Sequence, residues 1–272
     1  MEKNKLSLAL GLALTGVLGL GASSAASAHV MYNTDNAGSA YGAGGTDGWS
    51  TPGSWVGTAD GNAPFGYAGP VANWAAQLHS AGASLIVSSA DALDDYDVAA
   101  DIDTAKGAWN DGKFTQAADS QGWGHNTDVG LFKSNVTQTV TLTASNVDPN
   151  GWQIFGISVF SGMTTAGNYE HHGGWNIGYT EDDTTPATLD NPLGTVGLTF
   201  VGYTDNSTVT FTAQAGQVYS ILLGGYSGSG NFGPHAGYQL AISSVPVPGA
   251  VWLFGTAMAG LIGIGGRRKI SA

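Results

Sequence analysis

The sequence contains no cysteine and few basic residues, and both absences restrict its chemistry. Without cysteine the chain forms no disulfide, no thiolate nucleophile and no zinc–thiolate site. Eight Lys and Arg residues stand against 20 Asp and Glu residues, and the resulting formal charge of −12 repels phosphate backbones. A nucleic-acid partner needs a basic stripe, which the sequence lacks, so nucleic acid is excluded as a partner.

Glycine is abundant instead, and it favours turns over long helices. The chain has 43 glycines among its 272 residues. Polar and apolar residues alternate at 139–143 and 209–213, as in strands with one buried face. The predicted strands are 84–88, 96–102, 136–144, 153–160, 198–203, 208–213, 218–223 and 238–243. We therefore expect an all-β fold, an antiparallel, jelly-roll-like β-sandwich with one short helix and long Gly-rich loops.

The short helix is predicted to begin at Pro70. Apolar residues recur from Val71 to Leu78 at the spacing of one helix face, and Gly82 lies beyond the end. His79 then falls in the last turn, where the helix dipole alone favours a histidine. A metal-binding role for His79 is the alternative.

The first 28 residues have the pattern of a secretory signal peptide. A lysine-containing start precedes an apolar run over 6–20, and the small residues at 26–28 form an A-x-A cleavage sequence. Cleavage by signal peptidase would leave His29 as the mature N-terminus. The β-sandwich domain is then expected over 29–244.

Residues 245–272 form a second signal. A Val-Pro-Val-Pro-Gly sequence is followed by an apolar segment at 250–266, long enough to span a thin bilayer, and by a basic end at 267–269. This arrangement resembles the PEP-CTERM sorting tail of Gram-negative bacteria in its VPLPA-like form. The resemblance implies an exosortase-type sorting protease as a partner. It places the protein in the periplasm, at the cell surface or outside the cell, with a transient or permanent C-terminal membrane segment; a simple membrane anchor is the alternative.

Between the two signals the chain is more acidic than the whole. Three lysines and nineteen carboxylates remain there, so the formal charge is −16, which suits cations better than anionic ligands. Close carboxylates repel each other unless a cation or solvent lies between them. A calcium site is therefore one interpretation of a run of five aspartates and a solvated cluster is the other; the five are Asp94, Asp95, Asp97, Asp101 and Asp103.

Six histidines offer a second class of metal ligand, because a chain without cysteine binds soft or borderline metals mainly through imidazole. Trp123 and His125 are two residues apart and share one face of an extended backbone. His171 and His172 are adjacent and point in opposite directions, so only one of them is expected to join His125. Loop histidines bonded to the backbone are the alternative.

The Trp-x-His pair, a later histidine, the acidic exported β domain and the lack of cysteine resemble the surface-associated copper(I)-binding proteins of methanotrophs, the CorA/MopE type. The resemblance implies that two histidines and a kynurenine hold the copper. Trp123 would be the residue oxidised to kynurenine, His125 the first ligand, and His171 or His172 the second, with His235 in reserve. The expected function is capture or storage of copper, and no enzymatic activity is predicted.

Two other functions stay open. With His29 at the mature N-terminus, its amine and ring could chelate copper together with another histidine, as in the histidine brace of polysaccharide monooxygenases. A matrix or carbohydrate-binding role linked to exopolysaccharide needs no metal. Sugars would then stack on tryptophans in loop-like contexts, which are Trp49, Trp55, Trp109 and Trp175.

Overall fold

A computed structural model of the protein describes residues 27–34, 54–68, 72–109, 127–148, 154–163, 198–226 and 235–246, and the backbone of two short strands at 173–174 and 179–180. The described part of the chain is mostly β-strand. Its strands are β1 (Ala28–Asn33), β2 (Trp55–Val56), β3 (Trp74–Leu78), β4 (Ser84–Ser88), β5 (Asp103–Trp109), β6 (Asp128–Ser134), β7 (Gln138–Asn146), β8 (Phe155–Ser161), β9 (Gly173–Gly174), β10 (Tyr179–Thr180), β11 (Thr199–Thr204), β12 (Thr208–Ala213), β13 (Val218–Tyr226) and β14 (His235–Pro246). It also contains one α-helix, α1 (Ser89–Tyr96), and a 3-10 turn at Pro64–Gly66.

The strands form a sandwich-like fold, which confirms the predicted all-β class. One layer has the order β2-β1-β3-β6-β13-β8-β11, and the other has the order β4-β14-β7-β12. β5 pairs with β14 and with β13 and so connects the two layers. Most pairs are antiparallel, but β3 and β6 are parallel, as are β5 and β13.

The main core lies between the layers. Alternate side chains of each strand face it, because successive residues of a strand point to opposite sides of the sheet. In β1 these are Val30 and Tyr32, and in β3 they are Trp74, Ala76 and Leu78. From the other layer they meet residues that include Val140, Leu142, Phe211, Tyr238, Leu240 and Ile242.

The outer face of the first layer is covered as well. Met31, Ala75 and Leu131 pack there against Trp55 and Tyr67 of the 54–68 segment. Further along the same layer, a separate cluster is formed by Trp109, Phe160, Leu198 and Leu222. β1, β3 and β6 are therefore largely buried on both faces.

This double burial explains why the helix predicted from Pro70 is wrong over its described residues, which form β3. A strand buried on both faces is apolar at consecutive positions, and such a run imitates helical spacing. The observed helix, α1, begins after Ser88, whose Oγ accepts a hydrogen bond from the Asp91 amide at 3.0 Å. It ends at Asp97, which adopts a left-handed conformation with φ 57°.

The other predicted elements agree to different degrees. Strands 84–88 and 208–213 have the predicted bounds, and five further strands overlap their predictions with shifted ends. The strand predicted at 96–102 is wrong, because the chain leaves α1 there and β5 starts only at Asp103. Most of the predicted signal peptide and nearly all of the predicted sorting tail lie outside the described residues. Among the residues that the structure describes, no helix is long and apolar enough to cross a membrane.

Candidate functional site

The pairing of β1 with β3 brings two histidines together. His29 lies directly opposite Gln77 in the antiparallel register, and His79 follows two residues after Gln77. Side chains two residues apart share a face, so His79 lies diagonally next to His29. Nδ1 of His29 is 2.7 Å from Nε2 of His79.

The two imidazole rings meet edge to edge. Their planes differ by 12° and their centroids are 4.9 Å apart. The two ring centroids are farther apart than the two nitrogens by only the sum of the ring radii. The nitrogens therefore point at each other, and the two rings lie nearly in one plane. One nitrogen carries the shared proton and the other offers a lone pair.

Neighbouring amides assign the tautomers. Nε2 of Gln77 donates to Oδ1 of Asn135 at 2.8 Å, which leaves Nδ2 of Asn135 directed at Nδ1 of His79, 3.3 Å away. Since the Asn135 amide is the donor, Nδ1 of His79 accepts and its Nε2 carries the proton. The chain of donors therefore runs from Gln77 through Asn135 and His79 to Nδ1 of His29.

The environment keeps His29 neutral. Its side chain is half-buried, and burial is the main cause that lowers its pKa; the charge that His79 would carry when protonated lowers the pKa further. A neutral imidazole is the form that binds metal ions. His29 therefore offers a nitrogen donor at neutral pH without first losing a charge.

A cleft of about 340 Å³ adjoins the pair. His29, Met31 and Gln77 form one wall, and the 57–66 segment forms the other. Oγ1 of Thr58, on that second wall, is buried without a hydrogen-bond partner among the described residues. Asp60 also lines the cleft, and hydrogen bonds from Asn62 lower the pKa of its carboxyl group, so it is ionised. His29 is thus reachable from a polar cleft.

The ligands predicted from the loop motifs lie outside the described residues, so the structure does not test them. They are Trp123, His125, His171 and His172. The reserve ligand His235 is described, and its Nδ1 lies 2.8 Å from Oδ1 of Asp103. It is therefore already engaged by a carboxylate.

The five aspartates of the calcium hypothesis lie on different parts of one connection. Asp94 and Asp95 are exposed on α1, Asp97 ends that helix, and Asp101 and Asp103 come at the start of β5. Among the described residues, no three His, Asp or Glu side chains come together as a metal-binding group. The calcium assignment stays a prediction.

A buried polar network lies between the layers. The Tyr238 hydroxyl donates to Oδ2 of Asp128 at 2.8 Å and accepts from Nε1 of Trp74 at 3.0 Å. Nδ2 of Asn73 donates to Oδ1 of Asp128 at 3.1 Å. Burial, followed by the charges of Asp101 and Asp103, raises the pKa of Asp128 well above its ordinary value.

Two of the four tryptophans proposed to stack on sugars belong to the core. Trp55 and Trp109 are 5% and 0% exposed. Nε1 of Trp109 donates to Oγ of Ser158 at 3.2 Å. Their rings are not available to a carbohydrate, and the other two, Trp49 and Trp175, lie outside the described residues.

Comparison with known proteins gives little direct guidance. No protein-family model matches the chain, and no curated protein matches it either. Among solved structures, a match is CorA, a surface-associated copper-binding protein important in copper acquisition by Methylomicrobium album BG8. The identity is 12%, the match covers 53% of this chain and 92% of CorA, and the TM-score is 0.29. A likeness this distant does not establish a shared fold.

The sequence interpretation named His29 and His79 separately but did not pair them. The predicted helix placed His79 in a last turn, which removed it from the sheet. A signal for the pairing is present, since His29 lies near the start of one strand-length apolar run and His79 directly follows another. Two such runs in antiparallel register bring those ends together.

Proposed function

We propose that the protein is exported and binds copper at the imidazole pair of His29 and His79. The observation that carries the proposal is the contact of Nδ1 with Nε2 at 2.7 Å in nearly coplanar rings. Two nitrogens that point at each other define a line along which one ion can accept both lone pairs. Copper(I) suits such a site, because imidazole is among its ligands and the chain offers no thiolate.

The pair fits a metal ion after a small movement. Metal–imidazole bonds of about 2.0 Å place two opposed nitrogens about 4 Å apart, so the rings must separate by about 1.3 Å. Both side chains are only half-buried, and His29 lines the cleft, which leaves room for this rotation. The proton on Nε2 of His79 must also leave the contact.

Asn135 can stabilise the other tautomer of His79, in which the proton lies on Nδ1. Moving it to Nδ1 of His79 keeps the ring neutral and frees Nε2 as a donor atom. Flips of the Asn135 amide and of the Gln77 amide bonded to it then direct Oδ1 of Asn135 at Nδ1 of His79, where it accepts the hydrogen bond. Ligating histidines are commonly held by such a partner, and its loss typically weakens metal binding by about 10- to 100-fold. Asn135 is thus a positioning residue for His79.

The acidic character of the domain supports the same function. Between the predicted signals the formal charge is −16, and a negative field raises the local concentration of cations. Asp60 adds an ionised carboxylate to the cleft next to His29. Capture or storage of copper at the cell surface follows as the proposed role.

Copper stoichiometry and copper(I) affinity of the exported protein test the proposal. We expect one ion per chain at this site, lost in His29→Ala and in His79→Ala and weakened about 10- to 100-fold in Asn135→Leu. His235→Ala is the matched control, because that histidine is bonded to Asp103 away from the pair. It should retain the copper.

The loop histidines provide the opposing result. If copper is lost only from variants of His125 or of His171 with His172, the predicted loop site binds the metal and the His29–His79 pair does not. Failure of the unaltered protein to bind copper would reject the function itself. Circular dichroism of every variant separates loss of ligands from loss of fold.

A further inference from the structure

We propose that removal of residues 1–28 converts the imidazole pair into a three-nitrogen copper site, in which the new α-amine of His29 joins its own Nδ1 and Nε2 of His79. This inference rests on the proposed copper-binding function. It adds a ligand set, a preferred oxidation state and a dependence on processing. The signal peptide would then prevent formation of the three-nitrogen site in addition to directing export.

The identity of the facing nitrogen carries the inference. The structure directs Nδ1 of His29, rather than Nε2, at His79. Nδ1 is the ring nitrogen nearer the main chain, so it can close a small chelate ring with the amine of the same residue, whereas Nε2 cannot reach a metal shared with that amine. A pair joined through Nε2 of His29 would have excluded the amine.

The position of His29 in β1 is the second observation. The predicted cleavage falls directly before His29, which is the second residue of the strand. Cleavage removes Ser27, whose carbonyl accepts from the His79 amide at 2.9 Å and whose amide donates to Oγ of Ser80 at 3.1 Å. The chain segment that leaves is therefore the one lying beside His79.

The rest of β1 stays anchored after cleavage. Val30 and Tyr32 are buried in the main core, and Met31 is buried on the opposite face. The register with β3 continues from His29 to Tyr32. The Tyr96 hydroxyl also donates to the carbonyl of Val30 at 2.7 Å. The new terminus is therefore held next to His79.

The added amine changes which copper ion the site prefers. An α-amine has a pKa of about 8, so it readily gives up its proton to a metal near neutral pH. Two opposed imidazoles suit copper(I), whereas a third nitrogen beside them fits the tetragonal arrangement of copper(II). Further positions would face the cleft lined by Met31, Gln77 and the 57–66 segment, where water can enter.

The test compares two forms of the exported protein that differ only at the amine of His29. In one form the amine is free, and in the other it is acetylated, which removes its lone pair and leaves both imidazoles in place. N-terminal sequencing of the exported protein first identifies the natural start. Copper(II) sulfate is then titrated against a chelator of known affinity, and electron paramagnetic resonance counts the coordinated nitrogens.

We expect the natural chain to start at His29 and to bind copper(II) about 100-fold more tightly than the acetylated form, since a tethered second donor raises affinity by about that factor or more. The spectrum should show three nitrogens in the first form only. His79→Gln should lower the count by one in both forms. Equal thermal unfolding of the two forms serves as the control for folding.

Other outcomes separate this inference from the proposed function. If both forms bind one copper with equal affinity and both lose it in His79→Gln, the imidazole pair stands and the amine has no role. A natural N-terminus other than His29 also overturns the inference. If neither form binds copper(I) or copper(II), both proposals fail.

Discussion

The hydroxyl of Tyr238 connects two other buried side chains, so its removal should lower the stability of the fold. It accepts from Nε1 of Trp74 and donates to Oδ2 of Asp128. Tyr238 and Trp74 are both 0% exposed, so water does not replace a lost partner. Tyr238→Phe keeps the ring and its packing against Phe155 but deletes the oxygen.

The expected loss of stability follows from two contacts. A hydrogen bond to a charged acceptor contributes about 1.5–3 kcal/mol, and a buried donor left unpaired costs about 1–3 kcal/mol. The raised pKa of Asp128 weakens the first contribution when that carboxyl group is protonated. Because the two effects share one network, we expect about 2–4 kcal/mol in the free energy of unfolding rather than the full sum.

Urea denaturation followed by tryptophan fluorescence measures the effect. The midpoint should fall while the slope of the unfolding free energy against urea stays unchanged. Tyr219→Phe is the matched control, because the part-buried Tyr219 hydroxyl accepts from the Gln214 amide at 2.9 Å and makes only a long contact, 3.4 Å, with the carbonyl of Thr212. We expect it to cost about 1 kcal/mol or less. A Tyr238→Phe protein as stable as the Tyr219→Phe protein would refute the reasoning.

Three further predictions concern the scaffold. Gly130→Ala should prevent stable folding, because a Cβ there would lie 2.0 Å from a ring atom of Trp74, whereas Gly202→Ala meets nothing within 4 Å and should leave the unfolding midpoint nearly unchanged. Asp128→Asn should flatten the dependence of stability on pH. In the unaltered protein, folded Asp128 keeps a proton that the unfolded chain has already lost. The stability should therefore fall as the pH rises from about 4 through the raised pKa of Asp128, by about 1.4 kcal/mol for each unit by which that pKa is raised. Equal pH profiles of the two proteins would contradict this. Ser88→Ala should cost about 1 kcal/mol in chemical denaturation by removing the cap of α1, and a change within error would show that the cap adds nothing.

Alternation of polar and apolar residues made β12 predictable from the sequence, whereas β3, which is buried on both faces, was not predicted. The alternation at 208–213 gave the bounds of β12, because its threonines face solvent and its apolar residues face the core. β3 has no such alternation, since Trp74, Ala75 and Ala76 are all buried. The 54–68 segment packs over the outer face, so apolar residues lie on both faces of β3 and do not alternate with polar ones. No local feature of the sequence indicates that this segment packs there.

The helix could have been predicted from its cap. Ser88 and Asp91 form the S-x-x-D pattern that commonly opens a helix, and the serine hydroxyl accepts the bond that this pattern predicts. The carboxylates that follow were interpreted as a metal site, and the helix was not predicted. Composition predicted the all-β class correctly because it depends on the whole chain, whereas the contact of His29 with His79 depends on the register of two particular strands.

The last described strand has a consequence for when the chain can fold. β14 pairs with β4, β5 and β7, which come from well-separated stretches of the chain, so these strands lack a common neighbour until residue 246 is present. Pairings this remote in sequence close slowly. If the protein is exported as proposed, the polypeptide would therefore stay unfolded until nearly all of this region has emerged, and formation of the native sheet would be delayed to the far side of the membrane.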